Sequence, residues 1–412
     1  MNGFRKKIYA AAGYSTTFYG PGRPEFNPQK PMPPFEDYLQ ETAKGTCEQI
    51  ANPTFDEGVI GSFMSSRFLS QGNLPGFLPF MVESLHYRPC TSVEGACGTG
   101  GRAITAGVKS ILSDLSDSTF VAGFEVQNTM KAVYGADILA GAAYYSKERK
   151  NGHAYFFPNI FAERAGAYYK KYGYETTREA MAIWYKNAIE NARKNPKAQE
   201  YTNKSENLFE LGMTPPNPSK FLPYINYYDC SKVSDGASSI AIYSEEGLKK
   251  SGIPKDKAVE IIAIGEAEGN ITKTPDSPTA LTTTKQAIKR AFDQTHLTLS
   301  DIGVLEIHDC FTITAILALE ALGYAKEGEG PKFIIDGQTT ADGKIPTNLS
   351  GGLGGFGHPT GATGVRQLVD LSHQLTGTAE NQGKVLSPYG MMISMGGNDI
   401  TVTCIIVKRV HN

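Results

Sequence analysis

Residues 93–110 read VEGACGTGGRAITAGVKS: the end of a strand, a glycine-rich turn, then the onset of a helix. Ile104 and Val108, four apart, mark that helix's apolar face. Gly98, Gly100 and Gly101 admit backbone angles that other residues resist. Cys97 stands in the turn, ahead of helical N–H groups whose partial positive charge favours a thiolate. The stretch makes Cys97 a candidate nucleophile, weighed against the plainer reading of a small buried cysteine where a helix packs.

Further along, the plan repeats. Residues 302–307 (IGVLEI) predict a strand that delivers His308-Asp309-Cys310-Phe311. Residues 348–364 (NLSGGLGGFGHPTGATG) predict a glycine-rich turn around His358, with a helix over 365–375. In the first set, GVIGSF leads to the Cys97 turn and helix and then to STFVAGF at 118–124. In the second, IGVLEIHDCF leads to the His358 turn and helix and then to the glycine-interrupted hairpin of 391–407. Similar units in the same order predict a duplicated α/β architecture. The division expected is a first half over 1–256 and a second over 257–412.

Between residues 127 and 223 the character changes. Tyrosine, lysine and asparagine are dense there, and Trp184 is the only tryptophan. Residues 168–195 read as one helix, and Pro215, Pro216 and Pro218 break the chain beyond it. This segment is read as an insertion lying over one face, after which Ser234-Asp235-Gly236-Ala237 turns back into a core strand.

Composition narrows the function classes. With 412 residues, 40% apolar and 20% charged, the chain can bury a full core in two domains or two similar halves. A net charge of −2 gives no basic stripe for nucleic acid or a membrane surface. The six cysteines (47, 90, 97, 230, 310, 404) form no CxxC pair, which fits a reducing compartment rather than a disulfide scaffold. The N-terminal apolar run is too short for a signal sequence, no stretch suits a membrane span, and KRVHN is no peroxisomal address. The expectation is a cytoplasmic enzyme.

Chemistry gathers at four strand ends or turns: Cys97, the run 308–311, His358 and residues 394–397. Cysteine beside histidine is the usual pairing for an activated thiol. Cys310, directly after His308-Asp309, suits a proton carrier, while Asp309 reads as the cap of the next helix. Two dinucleotide-like runs, Gly98-x-Gly100-x-x-Ala103 and Gly352-x-Gly354-x-x-Gly357, lie outside a first βαβ unit and carry little weight. No Gly-Lys-Ser/Thr is present for a P-loop. The spacing of Cys97, His308, Cys310 and His358 matches no common closed zinc site, so no metal is expected.

GACGTGGRAI around Cys97, HDCF at 308–311, SDGA at 234–237 and NLSGGLGGFGHPTGATG around His358 resemble the thiolase superfamily. HDCF resembles the sterol-carrier-protein type and its archaeal relatives in particular. The resemblance implies a five-layered αβαβα fold of two similar halves, with 127–223 as an inserted loop domain that helps hold coenzyme A. It implies that Cys97 is acylated, that His358 takes its proton, and that Cys310 handles the substrate α-carbon proton. It implies further that His308 and His358 polarise the thioester oxygen and that the N–H groups of Cys97 and Gly396 form the second oxyanion hole. No cofactor is implied beyond coenzyme A as substrate. The implied partners are acyl-CoA and CoA, a homodimer or tetramer, and a small acyl-transfer protein.

Three departures from the resemblance stand out. Ser394 occupies a position where most thiolases carry a cysteine, Thr314 and Ala315 replace a frequent Asn-Glu, and Arg102 replaces a small or apolar residue. Rival readings on the same fold are a ketoacyl-synthase-like acyltransferase and a thiolase-like subunit of an acyl-transfer complex. Retro-aldol relatives usually lose the nucleophilic cysteine, which is kept here. The function expected is a CoA-dependent thiolase acting through a Cys97 thioester.

Overall fold

A computed structural model describes residues 3–30, 32–149, 154–219 and 223–410. Nine strands are β1 (Ile8–Ser15), β2 (Glu57–Gly61), β3 (Cys90–Val93), β4 (Ser118–Glu125), β5 (Gly236–Ser244), β6 (Val259–Glu268), β7 (Ile302–Glu306), β8 (Tyr389–Gly396) and β9 (Thr401–Arg409). They form one sheet in the order β3-β2-β4-β5-β1-β6-β9-β8-β7. A short antiparallel junction, Ile8↔Ile261 to Ala10↔Val259, joins the two halves of that sheet. Outward from it the pairings mirror each other: β1–β5 and β6–β9 are antiparallel, as are β5–β4 and β9–β8. The pairs β4–β2 and β8–β7 are parallel. The duplication inferred from pattern is present in the hydrogen bonding.

Strand alternation divides the core into layers. Val121 of β4 and Ile405 of β9 face a shared central layer with Ile104, Val108, Val365 and Leu368, from the Thr99–Leu112 and Thr360–Thr376 helices. Phe120 and Phe124 face the Phe35–Cys47 helix on the other side of the first half. Cys404 and Ile406 face the Thr282–Phe292 and Thr312–Leu322 helices on the far side of the second. Two half-sheets thus enclose one helical layer and are covered by two more, the five-layered arrangement expected.

The two central helices touch because of their glycines. A Cβ on Gly100 would lie 2.6 Å from the Gly364 Cα, and one on Gly364 would lie 2.4 Å from the Gly101 backbone N. The first-turn glycines therefore serve close approach, not unusual backbone angles. In the Cys97 turn the left-handed residue is Ala96, at φ 52°. In the second glycine-rich turn unusual angles do occur: Gly351, Gly352 and Gly357 have φ of 115°, 59° and 123°.

The segment between β4 and β5 lies over the second half. Phe161, Tyr168 and Trp184 share a core with Ile313 and Ile316. Arg178 clamps Asp229 with bonds of 2.7 and 2.6 Å, and Thr312 also donates to Asp229 at 2.6 Å. The single helix expected over 168–195 is two, Phe156–Tyr172 and Glu175–Ala192, because Gly173 at φ 102° ends the first. Among the described residues no helix is long and apolar enough to cross a membrane.

Candidate active site

Cys97 lies in the turn just ahead of the first central helix and His358 just ahead of the second, so the glycine contact between those helices brings both to one place. His308 follows β7. The Cys97 sulfur and one ring nitrogen from each of His308 and His358 all lie within 4.8 Å of one another. The two imidazoles meet edge to face, with centroids 5.1 Å apart. Both histidines are buried, and among the described residues His308 Nδ1 and His358 Nε2 have no hydrogen-bond partner.

His358 is held on every other side. Its N–H donates to Ser234 Oγ at 2.9 Å, and its carbonyl accepts from Gln127 Nε2 at 2.8 Å. Its Nδ1 lies 2.7 Å from Thr363 Oγ1, whose own proton goes to the Pro359 carbonyl at 3.0 Å. Nδ1 must therefore be the donor, which leaves Nε2 with a free lone pair facing the site. Burial lowers the His358 pKa to about 3 and, with Arg366 nearby, keeps the ring neutral. Thr363→Val removes that acceptor at nearly constant volume. We expect kcat to fall by on the order of 10²-fold, within the span a positioned base contributes, while the thermal midpoint falls by only a few degrees. Steady-state rates beside a melting curve check it.

His308 and Cys310 are set by their neighbours. Asn348, at φ 50°, accepts from the Ile307 N–H at 2.7 Å and donates to its carbonyl at 3.1 Å. Asp309 accepts from Trp184 Nε1 and from the Leu353 N–H, both at 2.9 Å. It is not the expected cap of the Thr312–Leu322 helix, which starts at Phe311 without a side-chain cap. It ties HDCF to the glycine turn instead. Cys310 is buried, its sulfur 3.8 Å from Thr314 Oγ1, and burial followed by the nearby Cys97 raises its pKa well above the usual thiol value.

The expectation of a thiolate at Cys97 is corrected. Burial, then the Glu125 carboxylate, push the thiol up to about 12, against the lowering effect of N–H groups from Gly397 and Cys97 itself. Glu125 is fully buried and accepts from Ser62, Phe63, Met64, Thr360 and Gly361. The resting pair is thus neutral thiol and neutral imidazole. Iodoacetamide should alkylate Cys97 with a rate that keeps climbing with pH beyond 9. An ion pair would instead show a plateau at neutral pH, and peptide mass analysis across a pH series separates the two outcomes.

Besides the N–H of Cys97 itself, the backbone N–H that favours the thiolate is that of Gly397, one residue beyond Gly396. A Cβ on Gly396 would lie 2.1 Å from the Gly95 carbonyl, so this residue backs against the nucleophile turn. Ser394 faces the central helices, 2.8 Å from where a Gly101 Cβ would stand, whereas Met395 points into the core that holds Cys310. Arg102 turns away to pair with Glu266 at 2.7 Å and with Glu268. Thr314 touches the Cys310 sulfur, and Ala315 is plain core. Sequence reasoning assigned no role to Glu125, Thr363 or Asn348. The available signal for Glu125 was an acid closing an otherwise uncharged buried strand.

A cavity of about 340 Å³ lies between the inserted segment and the loop at 271–278, lined by Tyr144, Lys147, Phe156, Arg164, Lys273 and Asn398 among others. Asn398, on its wall, directly follows Gly397 in the chain. A second cavity, about 220 Å³, lies behind the site against Trp184 and Asp309.

Residues 265–409 match a family model described as "Thiolase C-terminal domain-like". An acetyl-CoA acetyltransferase from Methanothermobacter thermautotrophicus is 31% identical over 381 residues, 91% of this chain and 94% of that protein. The chain belongs to the thiolase family. Sterol carrier protein 2 of Bos taurus is 33% identical over 71% of this thiolase and 54% of its own length. In fold, the thiolase superposes on the Ltp2-ChsH2(DUF35) aldolase with a TM-score of 0.77 at 18% identity, covering 99% of both chains. Against human mitochondrial 3-ketoacyl-CoA thiolase in complex with CoA the TM-score is 0.70 at 16% identity, again over 99% of both. The protein is a thiolase-type acyltransferase.

Proposed function

We propose that this thiolase works by ping-pong acyl transfer through a Cys97 thioester, cleaving 3-ketoacyl-CoA or condensing acetyl-CoA. The observation that carries the reading is the half-buried thiol of Cys97 within reach of two buried imidazoles that each keep an unpaired nitrogen. In the cleaving direction the sulfur attacks the 3-keto carbon as His358 Nε2 takes the thiol proton. The C2–C3 bond then breaks, the acyl group stays on sulfur, and Cys310 gives its proton to the departing acetyl-CoA carbanion. Cys310 regains its proton from His358, and a CoA thiol then attacks the thioester, losing its proton to His358, which returns it to the departing Cys97 sulfur. Condensation is the same sequence reversed, and reactant concentrations set the direction.

In this reading His308 hydrogen-bonds the thioester oxygen, and the N–H groups of Cys97 and Gly396 receive the oxyanion that forms on the acyl oxygen when the sulfur is attached. One such donor is typically worth about 10²–10³ in rate. The 340 Å³ cavity, with Lys147 and Lys273 on its wall, is the proposed seat of the CoA arm. Edge strand β3, half-exposed and next to the exposed Tyr87, is the proposed contact for a homodimer or for a dimer within a tetramer. The aldolase neighbour is named with a DUF35 protein, and a small acyl-transfer partner is proposed here in the same sense.

Initial rates of thiolysis with acetoacetyl-CoA and CoA varied together test the mechanism. Parallel double-reciprocal lines are expected. Intersecting lines would mean that both substrates must bind before any bond changes, and the covalent reading would fall.

A further inference from the structure

We propose that the cluster of Cys97, His308 and His358 is also a binding site for a thiophilic divalent cation of the zinc class, which competes with acylation. Three observations point there together. The donor types are one sulfur and two imidazole nitrogens, the set that suits zinc over magnesium or calcium. The three donor atoms lie within 4.8 Å of one another. Two buried nitrogens, His308 Nδ1 and His358 Nε2, have no partner among the described residues, so a ligand there displaces no bond between them.

With Zn–S about 2.3 Å and Zn–N about 2.0–2.1 Å, tetrahedral donors stand roughly 3.3–3.6 Å apart. The cluster closes to that spacing by moving its side chains about 1 Å. Cys97 belongs to the turn ahead of the first central helix and the histidines to the second half of the chain, so small rotations on separate elements suffice. Three protein donors leave the fourth position to water or to a CoA thiolate, the open form of a zinc site. On binding, the Cys97 thiol proton leaves to solvent and the sulfur's electron pair goes to the metal. An acylated sulfur is a poor ligand, so metal and acyl group exclude each other.

The test does not depend on turnover. Cobalt(II) titrated into the metal-free chain should bind at one per chain, with a near-ultraviolet band from thiolate-to-metal charge transfer. Cys97→Ser should abolish that band, His308→Asn should weaken binding by about tenfold or more, and Cys47→Ser should leave it unchanged. A band that survives in Cys97→Ser, or none in the parent, would overturn the proposal. In the unmutated protein, zinc should slow iodoacetamide labelling of Cys97 but not of the half-exposed Cys47. Equal labelling with and without zinc would overturn it without reference to any variant's folding. A chain that forms the acyl-enzyme yet ignores cobalt would refute this site and leave the acyl-transfer reading intact.

Discussion

Mixed with acetoacetyl-CoA, the parent chain is expected to gain the mass of one acetyl group, and Cys97→Ala is expected to gain none. Loss of a nucleophile that works as a unit with its base costs on the order of 10⁴–10⁶ in kcat, so residual thiolysis by the variant should approach background. The fold should survive, because the thiol is held by backbone N–H groups rather than by a side-chain network. Intact-protein mass and a thiolysis rate, with a melting curve as control, check all three statements. An adduct on both proteins would mean that another thiol carries the acyl group, and Cys310 would be the one to examine. No adduct on either would remove the covalent step.

Gly100→Ala should be nearly as damaging without touching any reacting atom. Its new methyl would meet the Gly364 and Val365 backbone at 2.6 Å, and backbone cannot rotate aside as a side chain can. Overpacking of this kind costs about 1–3 kcal/mol of stability. The larger effect is on geometry: the two central helices must part, and they carry Cys97 and His358. A displacement near 1 Å costs about 10² in rate, so kcat should fall far more than the melting temperature suggests. Gly72→Ala, with nothing within 4 Å, is the control and should change stability by no more than about 0.5 kcal/mol. If Gly100→Ala kept the parental kcat, the contact between the helices would not be what sets the reacting distance.

Much of this architecture was legible in the chain because local pattern and global fold agree. STFVAGF alternates between two buried faces, IGVLEI runs straight into HDCF, and Gly323 at φ 92° stops its helix where the sequence says it should. Less legible were features set by tertiary contacts. Gly173 looked like one residue inside a helical run, yet its φ divides the run in two. The electrostatics of Cys97 reversed because burial and a buried carboxylate outweigh the helix end. Asp309 bonds to Trp184, more than a hundred residues away, which no local cap rule anticipates.

The shared helical layer also makes the reaction centre a seam. The thiol comes from one half of a duplicated chain, while the base, HDCF and the covering insertion meet it from or over the other. Neither half encloses a complete set of reacting groups, and each central helix uses strands of both half-sheets as its walls. Catalytic geometry is therefore a direct gauge of how the halves dock. A substitution that loosens the β1–β6 junction or the glycine contact will be felt at the Cys97–His358 distance before it disturbs the core of either half.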